Sequence, residues 1–278
     1  MIEYRGFVEH EFNNETDLAS FYETSKIPDN LLVNEYLLLK DQDGNILDKY
    51  KFDGNKLVPV QYQVLSSKTF GKIKPKDAIQ EIAIDALKNN DLIMLRGPAG
   101  TGKSYLALGY LFESLEKGKI SKIIIFCNTV ATVGSAKLGY YPGSREDKLL
   151  DSQVGNFLSS KLGSFTEVER LIDSEQLLLL PMSDIRGYDT TGLNAGIYIQ
   201  ESQNFDVELL KLALQRIGDD CICIIDGDNT TQVDNDRFSG DRNGMRRMSE
   251  VFRGQPYYAE VELQNIYRGK IAKQAQLM

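Results

Sequence analysis

The sequence predicts an α/β protein, a mainly parallel sheet covered by helices, with a small β-rich appendage ahead of it. Three observations carry this expectation. From Leu92 onward, solid apolar runs alternate with amphipathic stretches, as they do where parallel strands are buried on both faces and helices connect them. The string GPAGTGKS, Gly97 to Ser104, stands between an apolar run and an amphipathic one, so strand, glycine-rich loop and helix are read together. Before residue 70 the apolar runs are short and separated by Asp-Gly pairs, a strong hairpin signal.

Taken in order, Arg5 to Glu11 reads as a strand and Glu15 to Thr24 as a short helix. NEYLLLK, NILDKYKF and KLVPVQY, punctuated by Asp43-Gly44 and Asp53-Gly54, give three more strands. Ser66 to Lys76 carries Lys68, Lys72, Lys74 and Lys76 and reads as a linker, after which Pro75 admits a helix from Asp77 to Lys88. The expected division is an appendage over residues 1–70 and a nucleotide-binding domain over 71–278. In the second part, strand Leu92–Leu95 precedes a helix over Lys103–Lys117 with Leu108, Leu111, Phe112 and Leu115 on one face. Strands Ile123–Cys127, Leu177–Leu180 and Ile197–Ile199 follow, then a helix Val207–Ile217 and strands Cys221–Asp226 and Ala259–Leu263.

Composition narrows the class. With 42% hydrophobic and 26% charged residues among 278, the chain has globular rather than low-complexity character. It opens on no basic segment followed by an apolar one, and no apolar run approaches a membrane span, so a cytoplasmic protein with no membrane partner is expected. Three cysteines cannot all pair, and Cys221 and Cys223 alternate within an apolar strand; with Cys127 they read as reduced core thiols. The single histidine, His10, lies in an acidic stretch and suggests no metal cluster. A net charge of −8 speaks against coating nucleic acid by bulk attraction. The charge is uneven, however: residues 1–60 hold 12 acidic against 6 basic residues, and residues 237–278 hold 8 basic against 4 acidic. That basic end either faces phosphates, on a nucleic acid or on a neighbouring subunit's nucleotide, or is a solvated surface.

The motifs carry the chemistry. All eight positions of GPAGTGKS fit a phosphate-binding loop, in which Gly97, Pro98, Ala99, Gly100, Thr101 and Gly102 curl main-chain N–H groups round the β- and γ-phosphates of ATP. Lys103 supplies a cation at their oxygens, and the Ser104 hydroxyl is the candidate Mg²⁺ ligand. In IYIQESQN, Glu201 stands just past a strand end, where a carboxylate orients or deprotonates an attacking water. The residue before it is usually an Asp that holds Mg²⁺ through water; here it is Gln200, which leaves the metal to Ser104 and the phosphates, with Asp226 or Asp228 assisting. IIDGDNTTQ, with Asp228 and Gln232, resembles the helicase motif whose glutamine senses the γ-phosphate, although Asp-Gly-Asp-Asn is also a good turn. Gln80, early in the helix before the loop, matches helicase glutamines that pair with the adenine edge, or is a surface glutamine. Arg268, beyond the last strand, is either an arginine finger, in cis or from a neighbouring subunit, or one more basic residue.

These segments together resemble the PhoH-like ATPases. The likeness rests on GPAGTGKS and ESQN, on LGYYPGSREDK (Leu138 to Lys148), on PMSDIRG (Pro181 to Gly187), and on NEYLLLKD and IKPKDAIQ. It implies a RecA-like P-loop NTPase core, a homo-oligomeric ring such as a hexamer, and ATP-driven, helicase-type work on single-stranded RNA, with DNA as the other strand type. In the loop Lys137 to Lys148, Tyr140 and Tyr141 could stack on bases while Lys137, Arg145 and Lys148 meet phosphates, or the tyrosines simply pack the loop. Some relatives carry a PIN nuclease domain ahead of the ATPase, and none is expected in these 278 residues. The chain departs from the family pattern at Gln200, at Cys127-Asn128 in place of Arg-Pro, and in GDNTTQ, which is one residue longer than usual. A nucleotide-dependent switch or scaffold with slow turnover is the alternative function, and a small-molecule kinase a third.

Overall fold

In the computed structural model, residues 4–12, 14–24, 30–127, 153–228, 240–267, 269 and 274 are described. Six strands form the central sheet: β7 (Leu92–Arg96), β8 (Lys122–Cys127), β9 (Leu177–Pro181), β10 (Ala195–Ile199), β11 (Ile222–Gly227) and β12 (Tyr258–Glu262). Their order is β12-β7-β11-β10-β8-β9, and every pairing is parallel. This is the α/β arrangement, a parallel sheet with helices on its faces, that the alternating pattern predicts.

Side chains alternate between the two faces of a strand, so each strand feeds two cores. Ile93, Leu95, Ile123, Ile125, Ile224 and Val261 pack on one face, beneath α2 (Ala78–Asn89) and α3 (Lys103–Glu116). Met94, Ile124, Phe126, Ile197, Ile199 and Ile225 pack on the other, beneath the helices Val207–Leu214 and Gly244–Phe252. Cys127, Cys221 and Cys223 are buried thiols outside any disulfide, and burial pushes the Cys223 thiol pKa up. They are core thiols. Among the described residues no helix is long and apolar enough to cross a membrane.

The helix expected over Val207–Ile217 stops at Leu214. Thr190 draws the next residues out of helical register: its N–H donates to Arg216 O and its hydroxyl accepts from Gly218 N. The expected linker Ser66–Lys76 is instead largely a hairpin, β5 (Leu65–Ser67) and β6 (Gly71–Ile73). Leu65, Phe70 and Ile73 enter the core under α3, and the Glu113 and Glu116 carboxylates accept the N–H groups of Ser66, Lys68 and Thr69. Lysine content marked this segment as solvated, whereas three spaced apolar residues anchor it. The helices Gln153–Leu162, Phe165–Asp173 and Gly244–Phe252 also went unanticipated.

The N-terminal residues form β1 (Phe7–Glu11), α1 (Glu15–Thr24), β2 (Tyr36–Lys40), β3 (Ile46–Phe52) and β4 (Leu57–Pro59), as the runs and Asp-Gly turns predict. The sheet order is β1-β2-β3-β4, with β1 parallel to β2. Its entry segment lies along the outer edge of β12. Glu262 N–H donates to Arg5 O (3.1 Å), and a Cβ on Gly6, whose φ is +80°, would stand 1.6 Å from Glu260 O, so main chain meets main chain there. Asn34 caps the entry to β12 by donating to the carbonyls of Pro256 and Tyr258, 3.0 Å each. Between the two layers, the Arg96 guanidinium is buried 2.7 Å from Glu260 Oε1 and donates to Tyr4 O.

Removing one member of a buried pair leaves the other charge uncompensated, at a cost of about 3–5 kcal/mol. Arg96→Met is therefore expected to lower stability to urea on that scale. Arg170→Met, which breaks the exposed pair with Glu167, should leave the midpoint unchanged. Equal midpoints for the two variants would show that Arg96 does not hold the layers together.

Candidate nucleotide-binding and hydrolytic site

The phosphate loop leaves β7 at Arg96 and enters α3 at Lys103. Gly97 has φ +129°, and a Cβ there would lie 2.0 Å from Leu263 O, so the main chain turns against the end of β12 where only glycine fits. The first main-chain bond of α3 runs from Leu106 N to Gly102 O. The N–H groups of Lys103, Ser104 and Tyr105 at the helix start therefore lack intrahelical acceptors and suit an anion. The Lys103 ammonium lies back over the loop, donating to the carbonyls of Gly97 and of Pro98 (3.0 Å). Thr101 is buried and its hydroxyl donates to Pro98 O (3.0 Å), which fixes the curl of the loop.

Two further segments bring carboxylates to the same carboxyl edge of the sheet. The first follows β10, where Glu201 adopts φ 54°, ψ 43° and opens a short turn over Ser202–Asn204. A non-glycine residue in that left-handed region costs about 1–2 kcal/mol, and local bonds offset it. Glu201 N–H donates to Asp226 Oδ1 (3.0 Å), while Gln203 Nε2 donates to Glu201 Oε2 (2.5 Å). Gln203 is itself fixed: its Oε1 accepts from Asp228 N (3.2 Å) and its main-chain carbonyl from Asn243 Nδ2 (3.0 Å). The second segment is the end of β11, where Asp226 and Asp228 are buried. Asp226 Oδ2 accepts from Ser104 Oγ (3.0 Å) and from the Tyr198 hydroxyl (2.5 Å). Burial, then the adjacent Asp226 charge, raises the Tyr198 phenol pKa well above its ordinary value, so the phenol stays protonated and donates.

Gln80 sits behind the loop. Its Nε2 donates to Thr101 O (3.0 Å) and its Oε1 accepts from Lys76 N (3.0 Å), so contact with an adenine edge would require one of these bonds to exchange. The segment after β12 closes over the same place. Tyr267 N–H donates to Gly100 O (2.9 Å), its hydroxyl donates to Asp77, and the Lys76 ammonium lies 4.5 Å from its ring centre.

The structure thus gathers Gly97–Ser104, Gln80, Glu201 and Asp228 around one loop. Gln232, Arg268, Asn128 and the segment Lys137–Lys148 lie outside the described residues. Sequence reading missed Gln203 and Tyr198. The former was signalled by a carboxamide two residues past Glu201, the latter by a hydroxyl within an otherwise aliphatic strand.

A family model described as PhoH-like protein matches residues 72–278. The chain belongs to the PhoH family. A protein named PhoH2 from Thermobispora bispora is 32% identical over 206 residues, covering 72% of this chain and 46% of its own length. The PhoH2 protein of Bacillus subtilis is 28% identical over 272 residues, covering 92% of this chain and 60% of its own. The chain thus spans about half the length of the curated relatives it matches. A crystal structure of Pif1 helicase from Candida albicans matches over 73% of this chain and 42% of its own, at 16% identity and a TM-score of 0.35.

Within this PhoH site, Glu201→Gln should leave nucleotide binding nearly intact and slow hydrolysis about 10²-fold or more. Gln203→Ala, which frees the carboxylate without removing it, should lower kcat by up to about 10²-fold with KM little changed. Steady-state kinetics of both variants check this; turnover of Gln203→Ala at the parent rate would show that Glu201 is held by other contacts.

Proposed function

We propose that this PhoH-family protein binds and hydrolyses ATP and works as a ring-forming, helicase-type motor on single-stranded RNA in the cytoplasm. The observation that supports it most is Glu201, fixed by Gln203 and Asp226 on the sheet edge that also carries the phosphate loop. The loop's N–H groups and Lys103 take the phosphates, which fits ATP; the Ser104 hydroxyl beside a carboxylate fits a hard divalent cation. Magnesium, when bound, neutralises charge on the β- and γ-phosphate oxygens. Lys103 leaves the Gly97 and Pro98 carbonyls for those oxygens. Glu201 takes the proton of a water that attacks the γ-phosphorus, and the bond to the β–γ bridging oxygen breaks, giving ADP and phosphate. Gln232 is assigned to sensing the γ-phosphate and Arg268 to stabilising its charge.

A single RecA-like core cannot step along a strand alone, so the motor reading requires several subunits, with a hexamer as the expected form. The second reading, a nucleotide-dependent switch with slow turnover, is favoured by one residue, the neutral Gln200 beside Glu201. ATPase rate with and without single-stranded RNA and DNA, measured alongside the mass in solution, separates the two. RNA stimulation in a ring supports the motor; a slow rate indifferent to nucleic acid supports the switch.

Lys103→Ala should abolish tight ATP binding while the fold persists, as read by calorimetry and circular dichroism. Unchanged affinity removes the phosphate-loop assignment. Arg268→Ala should still bind ATP and assemble but lose about 10³-fold or more in turnover. Mixed with Glu201→Gln, it should regain activity at interfaces pairing an intact Glu201 with a neighbour's Arg268. No recovery in well-mixed oligomers places the arginine in cis or gives it a structural role.

A further inference from the structure

Position 200, where a magnesium-side carboxylate would ordinarily stand, holds a neutral glutamine. The sheet shows where a negative charge stands instead. β10 and β11 pair in parallel through Ile199↔Ile225, so the next position along, 200, lies abreast of 226 on the neighbouring strand, about 4.8 Å away at ordinary strand spacing. β11 also lies next to β7, with Asp226 paired to Leu95, two residues before Gly97. A carboxylate moved from 200 to 226 therefore stays on the same edge and comes one strand nearer the phosphate loop.

Resting on the reading of Gly97–Ser104 as a nucleotide site, we propose that Asp226 is the carboxylate facing the nucleotide's divalent cation, taking from β11 the part that an acid at position 200 would play from β10. Three contacts support it. Ser104, whose hydroxyl is the loop's candidate metal ligand, already donates to Asp226 Oδ2 at 3.0 Å, so the cation's protein ligand and the carboxylate are adjacent. The buried Tyr198 hydroxyl and the Glu201 N–H hold the two oxygens, which fixes the plane of the carboxylate relative to the loop. The third contact also ties the metal-side charge to the main chain of the catalytic Glu201. The two functions remain coupled although they have moved to different strands.

A purely structural Asp226, there only to anchor Tyr198 and Glu201, would leave cation affinity untouched, and this decides the test. The probe is Mn²⁺, followed by its electron paramagnetic resonance in the presence of ADP and the full chain; binding of a fluorescent ADP in EDTA is measured separately. ADP binding in EDTA tests the phosphate loop alone, and its absence in the parent protein would defeat the nucleotide reading and this proposal with it. Given that binding, Asp226→Asn should weaken Mn²⁺ about 10-fold or more, the scale of groups that support a metal, while ADP binding in EDTA stays unchanged. Adding Gln200→Asp to Asp226→Asn should restore most of the lost affinity. Gln200→Asp alone should alter Mn²⁺ affinity less than about threefold, because the site already has its carboxylate; this variant needs no change in the buried cluster. Parent-like Mn²⁺ affinity in folded Asp226→Asn, or about tenfold tightening by Gln200→Asp alone, overturns the proposal.

Discussion

The phosphate loop and the N-terminal sheet are both built on close main-chain contact with one edge strand. On its inner side, the end of β12 leaves no room for a Cβ at Gly97; on its outer side, β12 leaves none at Gly6. Between these contacts, Arg96 spends its guanidinium on Glu260 and the Tyr4 carbonyl. Burial raises the Glu260 pKa, and the nearby guanidinium opposes that rise. A displacement of β12 would move the loop and the N-terminal sheet together, because no flexible side chain separates strand from strand at either contact.

The sheet edge that carries Glu201 depends on close contact in the same way. Glu201 is placed by backbone torsions that a glutamate adopts only at a cost, and the hydrogen bonds from its N–H to Asp226 and from Gln203 to its carboxylate hold it there. Strain held beside a phosphate loop by two buried polar residues is what the proposed role of Glu201 as a base would call for. Asp226 is the common point: it meets Ser104 from the loop, Tyr198 from β10 and the Glu201 main chain, so the ends of β10 and β11 and the start of α3 share one carboxylate.

Much of the sheet was legible because buried parallel strands are written as unbroken apolar runs, and Leu92–Leu95, Ile123–Cys127 and Cys221–Asp226 fall within or beside β7, β8 and β11. The loop was legible because its chemistry is local in sequence. Long-range placement was not. Nothing in the spacing of Gln200 and Asp226 shows that strands 26 residues apart in sequence lie in register, and that pairing gives Asp226 its place. Local composition misled at β5–β6, where lysines suggested a linker while Leu65, Phe70 and Ile73 were packed beneath α3. Gln80 was legible as a residue of the loop's neighbourhood, but its partners, Thr101 O and Lys76 N, depend on how α2 meets the loop.

Both ends of the described chain bear on the phosphate loop. The acidic N-terminal part meets Arg96, the residue just before the loop, through the Tyr4 carbonyl, and the basic C-terminal part meets the loop itself through Tyr267 on Gly100. Any change in the loop that lengthens the bond from Tyr267 N to Gly100 O is felt at a residue whose hydroxyl is held by Asp77 and whose ring lies beneath the Lys76 ammonium, so the start of α2, the loop and the segment after β12 respond together.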